Sequence, residues 1–321
     1  MRSTRHLVDP DLLGLLEAFP PYTLTEEILP MVRQGFGGRL QTDTEAGAKL
    51  PVETTTRQIP GLKGEPDVTV LAHRPKDSSS PCGGILHIHG GGYVSGSALA
   101  MSPAHRALAA RLGCLIVSVE YRLAPETRFP GAVEDCYAAL AWMNEQAADL
   151  GLDSARLGVM GESAGGGLAA GLALLARDRQ EYSLAFQHLI YPMLDDRTCI
   201  ATDPNPYTGE FIWDRAHNLF GWTALLGVEP GGPDVSPYAA AARAVDLAGL
   251  PPTFIATAAL DLFVDENLAY ASRLLRAGIP TELHVYPGAY HGFHFDAKAA
   301  VTGIAMRDST AALARALRDA G

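Results

Sequence analysis

Ser163 is the residue whose setting most directly suggests chemistry. It stands between Gly161 and Gly165 in the stretch Leu157-Gly-Val-Met-Gly-Glu-Ser-Ala-Gly-Gly-Gly-Leu168. A short apolar run ends at Met160, and an Ala/Leu-rich segment of helical character continues from Leu168 to about Arg177. A serine on a sharp turn between a strand and a helix reads as a nucleophile elbow, with its hydroxyl standing clear of the backbone. The flanking glycines leave room where a Cβ would clash, and the helix start behind the serine offers free N–H groups and partial positive charge. Glu162 completes the motif on the upstream side.

A serine nucleophile needs a base, a group that orients the base, and donors for the oxyanion. The base is expected past the last strand. There Tyr286-Pro-Gly-Ala-Tyr-His291-Gly-Phe puts His291 in a loop framed by Gly and Pro. His294 is the competitor, read from its i+3 position as a start-of-helix or packing residue. The orienting carboxylate is expected at the end of the preceding strand, where Phe254-Ile-Ala-Thr-Ala-Ala-Leu260 runs into Asp261 at what reads as an exposed strand terminus. Asp265 and Glu266 are rivals by proximity, read as acidic decoration of a helix start. Asp195 and Asp196 are a further alternative, read as structural. The order Ser163, Asp261, His291 is that of the acyl hydrolases.

The oxyanion donors are expected from His89-Gly90-Gly91-Gly92, which follows a buried strand. A glycine triplet leaves N–H groups unobstructed, so Gly91 and Gly92 supply two donors and Ala164, directly after the nucleophile, a third. The same glycines could form a flexible loop or a phosphate cradle, but the Lys-Ser/Thr of a phosphate loop is missing. His89 is expected to shape the loop by a side-chain hydrogen bond, and His87 to be a packed core histidine.

Around these residues the pattern is one of alternation. Strands are expected over residues 53–59 and 67–73 as an antiparallel opening pair, then over 84–89, 114–120, the run into the elbow, 186–191, 252–258 and 281–286. Helices are expected over 103–112, 132–148, 265–277 and 300–320. Strands alternating with helices imply a mostly parallel α/β sheet covered on both faces. Residues 1–45 carry only weak helical patterns and read as an arm packed over the main unit of residues 46–321. Residues 197–230 break the alternation with Gly and Pro around a helical piece, 214–226, bearing Trp213, Phe220 and Trp222, and read as a lid.

With 47% hydrophobic and 19% charged residues, the chain can build a sizeable core and is not a disordered protein. A net charge of −11 argues against nucleic acid or anionic membrane as partners. The four cysteines have no metal-like spacing and read as buried free thiols. No apolar stretch is long enough for a bilayer, and no signal peptide is evident, so a cytoplasmic protein is expected.

Taken together, His89-Gly90-Gly91-Gly92, Tyr121-Arg-Leu-Ala-Pro-Glu126, Gly161-Glu-Ser-Ala-Gly-Gly166 and His291-Gly-Phe293 resemble the motifs of the hormone-sensitive-lipase-like esterases, the bacterial family IV carboxylesterases. The resemblance spans residue 67 to the end. It implies an α/β-hydrolase fold of about eight strands, with a small helical cap built from the arm and the 197–230 insertion. It implies a Ser163–His291–Asp261 triad, with Gly91, Gly92 and Ala164 as oxyanion donors. That chemistry needs no cofactor or metal, and a pocket under an aromatic cap suits small apolar groups, so short- to medium-chain esters are the expected substrates. A homodimer through the edge near residues 281–286 is also implied. Two positions depart from common family usage: Leu262 and Phe263 follow Asp261 where relatives often have Pro-Leu, and Glu162 stands where many have Asp. An enzyme acting on amides or carbamates, and a non-catalytic ligand binder, are the alternatives.

Overall fold

The computed structural model describes residues 3–19, 22–39, 50–76 and 81–318, so residues 1, 2, 20, 21 and 40–45 of the expected arm and 319–320 of the expected last helix lie outside the described residues. Eight strands form one sheet: β1 (Val52–Ile59), β2 (Val68–Pro75), β3 (Cys82–Ile88), β4 (Leu115–Glu120), β5 (Leu152–Glu162), β6 (Gln187–Ile190), β7 (Thr253–Ala258) and β8 (Thr281–Tyr286). Their order is β1-β2-β4-β3-β5-β6-β7-β8. β2 pairs antiparallel with both β1 and β4, and every later pairing is parallel. The expected antiparallel opening pair and parallel body are both present.

The central strands are apolar on both faces because both faces are covered. β3 is buried along its whole length. On β4, Val117 and Val119 join the larger core cluster while Ile116 joins the one on the other face. That larger cluster holds α4 (Gly131–Glu145), α6 (Ala164–Arg179) and α8 (Val264–Arg276); the opposite one holds α3 (Ala98–Leu112) and α9 (Ala300–Ala316). A short helix, α5 (Ala147–Leu150), leads into β5. This is the α/β-hydrolase arrangement, and it lines up the C-terminal ends of β3, β5, β6, β7 and β8 along one rim, where ligands of open α/β sheets bind.

Several boundaries differ from expectation for local reasons. α3 starts at Ala98, five residues ahead of Pro103, because Ser97 caps it by accepting the Ala100 N–H at 3.1 Å. The expected helix 132–148 is two pieces, α4 and α5. In the arm, α1 (Leu13–Ala18) is short, and α2 (Leu29–Arg39) begins beside Pro30, a position where proline's missing N–H costs nothing. In the 197–230 insertion, α7 (Arg215–Leu226) is capped by Asp214, which accepts the His217 N–H at 2.8 Å. The four cysteines are buried and free. Among the described residues no helix is long and apolar enough to cross a membrane.

Candidate active site

The elbow is as tight as its composition requires. Ser163, between β5 and α6, has φ 57° and ψ −123°, a strained conformation for a residue with a Cβ. A Cβ on Gly161 would lie 2.3 Å from the Gly165 carbonyl oxygen, and one on Gly165 2.1 Å from that of Ile88. No other residue fits at either position. The Ser163 N–H donates to Ile190 O at 2.9 Å, and Ser163 O accepts from Gly167 and Met193, so the turn is held on both sides.

The structure brings Ser163, His291 and Asp261 into one line. Ser163 Oγ is 2.9 Å from His291 Nε2, and His291 Nδ1 is 2.7 Å from Asp261 Oδ2. The other carboxylate oxygen of Asp261 accepts the Phe263 N–H at 2.9 Å. Because an ionised carboxylate only accepts, this contact places the hydrogen of a neutral imidazole on Nδ1 and leaves the Nε2 lone pair facing Ser163 Oγ. Asp261 is fully buried, not the exposed strand terminus that the sequence pattern suggests. The loop with His291 closes over the end of β7 and shields the carboxylate.

The rival groups are engaged elsewhere. Asp265 is exposed and meets Asn205 at 3.3 Å. Glu266 is not surface decoration: it is buried, accepting from Leu194 N at 2.6 Å and contacting Thr198 Oγ1, so it fastens the loop after β6. Burial pushes its carboxyl well above the usual range. Asp196 is fully buried against Arg243 Nε at 2.6 Å and accepts from Gly231 N at 2.6 Å. Asp195 pairs with Arg197.

The glycine run packs directly on the elbow. A Cβ on Gly90 would lie 2.8 Å from Glu162 O, and Gly91 and Gly92 have φ of 122° and 62°, which favours glycine at both. Gly91, Gly92 and Ala164, the first residue of α6, donate their N–H groups to no acceptor among the described residues. His89 donates from Nδ1 to Gly90 O at 2.8 Å and stacks on Tyr121, as expected for a loop-shaping residue. His87 is buried but polar in its contacts: Nε2 is 2.9 Å from Glu162 Oε2 and Nδ1 3.2 Å from Ser118 Oγ. Burial alone would raise the Glu162 carboxyl. His87, by charge and hydrogen bond, outweighs that and holds it below its usual range.

Ser163, His291 and Gly90–Gly92 open into one cavity of about 100 Å³. Its walls are largely apolar and come from distant parts of the chain: Tyr22, Leu24 and Val32 of the arm, Met101 of α3, Ile212 and Trp213 of the insertion, and Phe295. The insertion aromatics divide. Trp213 lines the cavity, while Trp222 is fully buried and packs against Tyr93 in the main core. His294 is a wall residue contacting the Tyr191 hydroxyl, and burial lowers its imidazole to about 4. Tyr191 escaped the sequence reading. It sits just past β6 with φ 33°, its ring 4.7 Å from that of His291. Its place at the C-terminal end of a parallel strand, level with Ser163 and Asp261, was the available signal.

Residues 85–295 match the model of a family described as alpha/beta hydrolase fold. The chain is 34% identical over 312 residues to the carboxylesterase NlhH of Mycobacterium tuberculosis, covering 97% of this chain and 96% of that protein. It is 31% identical over 306 residues to an ethyl acetate hydrolase of Pseudomonas putida, covering 89% and 92%. Among solved structures, a bacterial heroin esterase superposes with a TM-score of 0.91 at 40% identity, over 99% of this chain and 100% of that one. Fold, site order and these likenesses agree: the chain belongs to the α/β-hydrolase family, among its hormone-sensitive-lipase-like carboxylesterases.

Proposed function

We propose that the protein hydrolyses small carboxylic esters with short acyl groups through an acyl-serine intermediate on Ser163. The observation that carries this is the unbroken contact series Ser163 Oγ–His291 Nε2–His291 Nδ1–Asp261 Oδ2, opening into an apolar cavity edged by Gly91 and Gly92. In acylation, Ser163 Oγ bonds to the ester carbonyl carbon and its proton passes to His291 Nε2. Negative charge gathers on the carbonyl oxygen, stabilised by the N–H groups of Gly91, Gly92 and Ala164. The imidazolium then protonates the leaving alcohol as the ester C–O bond breaks. In deacylation, water loses a proton to Nε2 and attacks the acyl carbon, and Ser163 Oγ departs with that proton, releasing the acid. Asp261 holds the imidazole in the tautomer both steps use.

The cavity favours short chains. At about 100 Å³ it is smaller than the roughly 150 Å³ of a cavity that takes up benzene. The arm and the 197–230 insertion act together as the cap that walls it. The edge strand β8 is the surface through which two copies would pair.

Initial rates on p-nitrophenyl esters from acetate to palmitate, with the Ser163→Ala protein alongside, test this reading. Rates that peak at short chains and vanish in the variant are expected. A variant as active as the parent would remove Ser163 from the mechanism, and rates rising towards palmitate would overturn the short-chain assignment.

A further inference from the structure

The motif at residues 121–126 takes no part in the chemistry above, yet one side chain ties it to the oxyanion loop. Arg33, on α2 of the arm, donates from Nε to Val94 O at 2.8 Å and from Nη2 to Ala124 O at 2.9 Å. The same guanidinium grips the Glu126 carboxylate with both Nη atoms at 2.8 Å each. Val94 is the residue that closes the glycine turn. Its N–H and that of Ser95 both donate to Gly91 O, at 3.2 and 3.0 Å, and Ser95 Oγ donates to the same oxygen at 2.9 Å. Ala124 N in turn donates to Tyr93 O at 3.0 Å. The turn carrying Gly91 and Gly92 is therefore fixed on its inner side by its own hydrogen bonds and on its outer side by Arg33.

The neighbouring residue in the arm, Val32, lines the cavity. One turn of α2 thus both walls the substrate space and grips the loop that presents the oxyanion donors. We propose that Arg33 is a positioning residue that makes the oxyanion hole depend on the docked arm. The inference rests on the serine-esterase reading and adds to it a residue that touches no reacting atom.

The fork geometry matters here more than the charge. The ion pair is partly exposed, with Arg33 28% and Glu126 62% accessible, so its Coulomb share is screened. The two carbonyl contacts are part-buried, and only a planar guanidinium can serve both while holding a carboxylate. The hydrogen bond from Arg33 holds the Glu126 carboxyl down to about 2, so the third arm of the fork persists at any working pH.

The test compares Arg33→Met, Arg33→Lys and Glu126→Gln in the full chain on p-nitrophenyl acetate, well below each variant's melting temperature. Arg33→Met keeps the aliphatic stem and is expected to lose tenfold or more in kcat with KM changed less than threefold. Arg33→Lys should fall between it and the parent. Glu126→Gln, which leaves both carbonyl bonds, should stay within twofold. Inhibition by a trifluoromethyl ketone, whose adduct places an oxyanion in the hole, should weaken in step with kcat/KM. An Arg33→Met protein with parental kcat, or one whose only change is a raised KM or a lower melting temperature, overturns the proposal. If Arg33→Met fails to fold, Arg33→Lys decides: parental kcat and inhibitor affinity overturn it, and a joint loss supports it. The serine-esterase reading fails separately, by a parent rate that survives Ser163→Ala.

Discussion

A Cβ on Gly92 would lie 2.1 Å from Trp213 Cη2, and Gly92 has φ 62°. Gly92→Ala therefore meets both a steric wall and an unfavourable backbone, and its N–H must turn from its present direction. Loss of one oxyanion donor costs about 10²–10³ in kcat, so a drop of at least 10²-fold is expected, read from steady-state rates on acetate esters. Parental turnover would remove Gly92 from the oxyanion hole. Asp261→Asn should cost on the order of 10⁴ in kcat, because an amide in that place no longer enforces the Nδ1–H tautomer. Trp213→Ala acts on specificity instead. It removes the largest ring facing the cavity, so the chain-length optimum on p-nitrophenyl esters should move from acetate or butyrate towards hexanoate and beyond. An unchanged optimum would mean that the arm, not Trp213, sets the limit.

At the scale of elements, some of the bonds that position the insertion can be removed singly. Asp214 caps α7 and also lies 3.2 Å from His217 Nδ1. Asp214→Ala should cost about 1 kcal/mol, seen as a lower urea midpoint. A variant as stable as the parent would show that packing of Trp222 alone holds the helix. A larger loss is expected where two loops join at Asp196 and Arg243. Arg243→Met strands a fully buried carboxylate, for about 3–5 kcal/mol, read from the same denaturation curves. A loss under about 1 kcal/mol would mean the Gly231 N–H suffices for that charge.

For the whole molecule, the buried histidines predict acid sensitivity. Burial lowers His73 and His89 to about 4 and His188 to about 3, as it does His294. In the unfolded chain each titrates near its ordinary value of 6.5. Below that pH the unfolded state binds protons that the folded state refuses. The stability these groups permit is thus complete above pH 6.5 and is lost as the pH falls towards 4, by about 3 kcal/mol for each such imidazole at pH 4. Urea midpoints measured from pH 8 to pH 4 should be level at first and then fall steeply. A flat profile down to pH 4 would mean these rings take up protons within the fold.

What the sequence alone determined is what short-range sterics and periodicity control. A strand, Gly-x-Ser-x-Gly and a helix specify the elbow because no other residue types fit the turn, and β7 and β8 end at the residues expected, Ala258 and Tyr286. Asp261 and His291 were legible for the same reason, each following a strand in a parallel sheet. Tertiary structure decided the rest, because contacts between segments far apart leave no mark on the local pattern. It put Tyr22, Leu24 and Val32 around the cavity, turned Trp213 to the site and Trp222 to the core, and buried Glu266 beneath a loop that its helix-start position does not reveal. Arg33 reads in sequence as one more charge on a weakly patterned helix. Only the folded chain brings its guanidinium to the carbonyls of Val94 and Ala124.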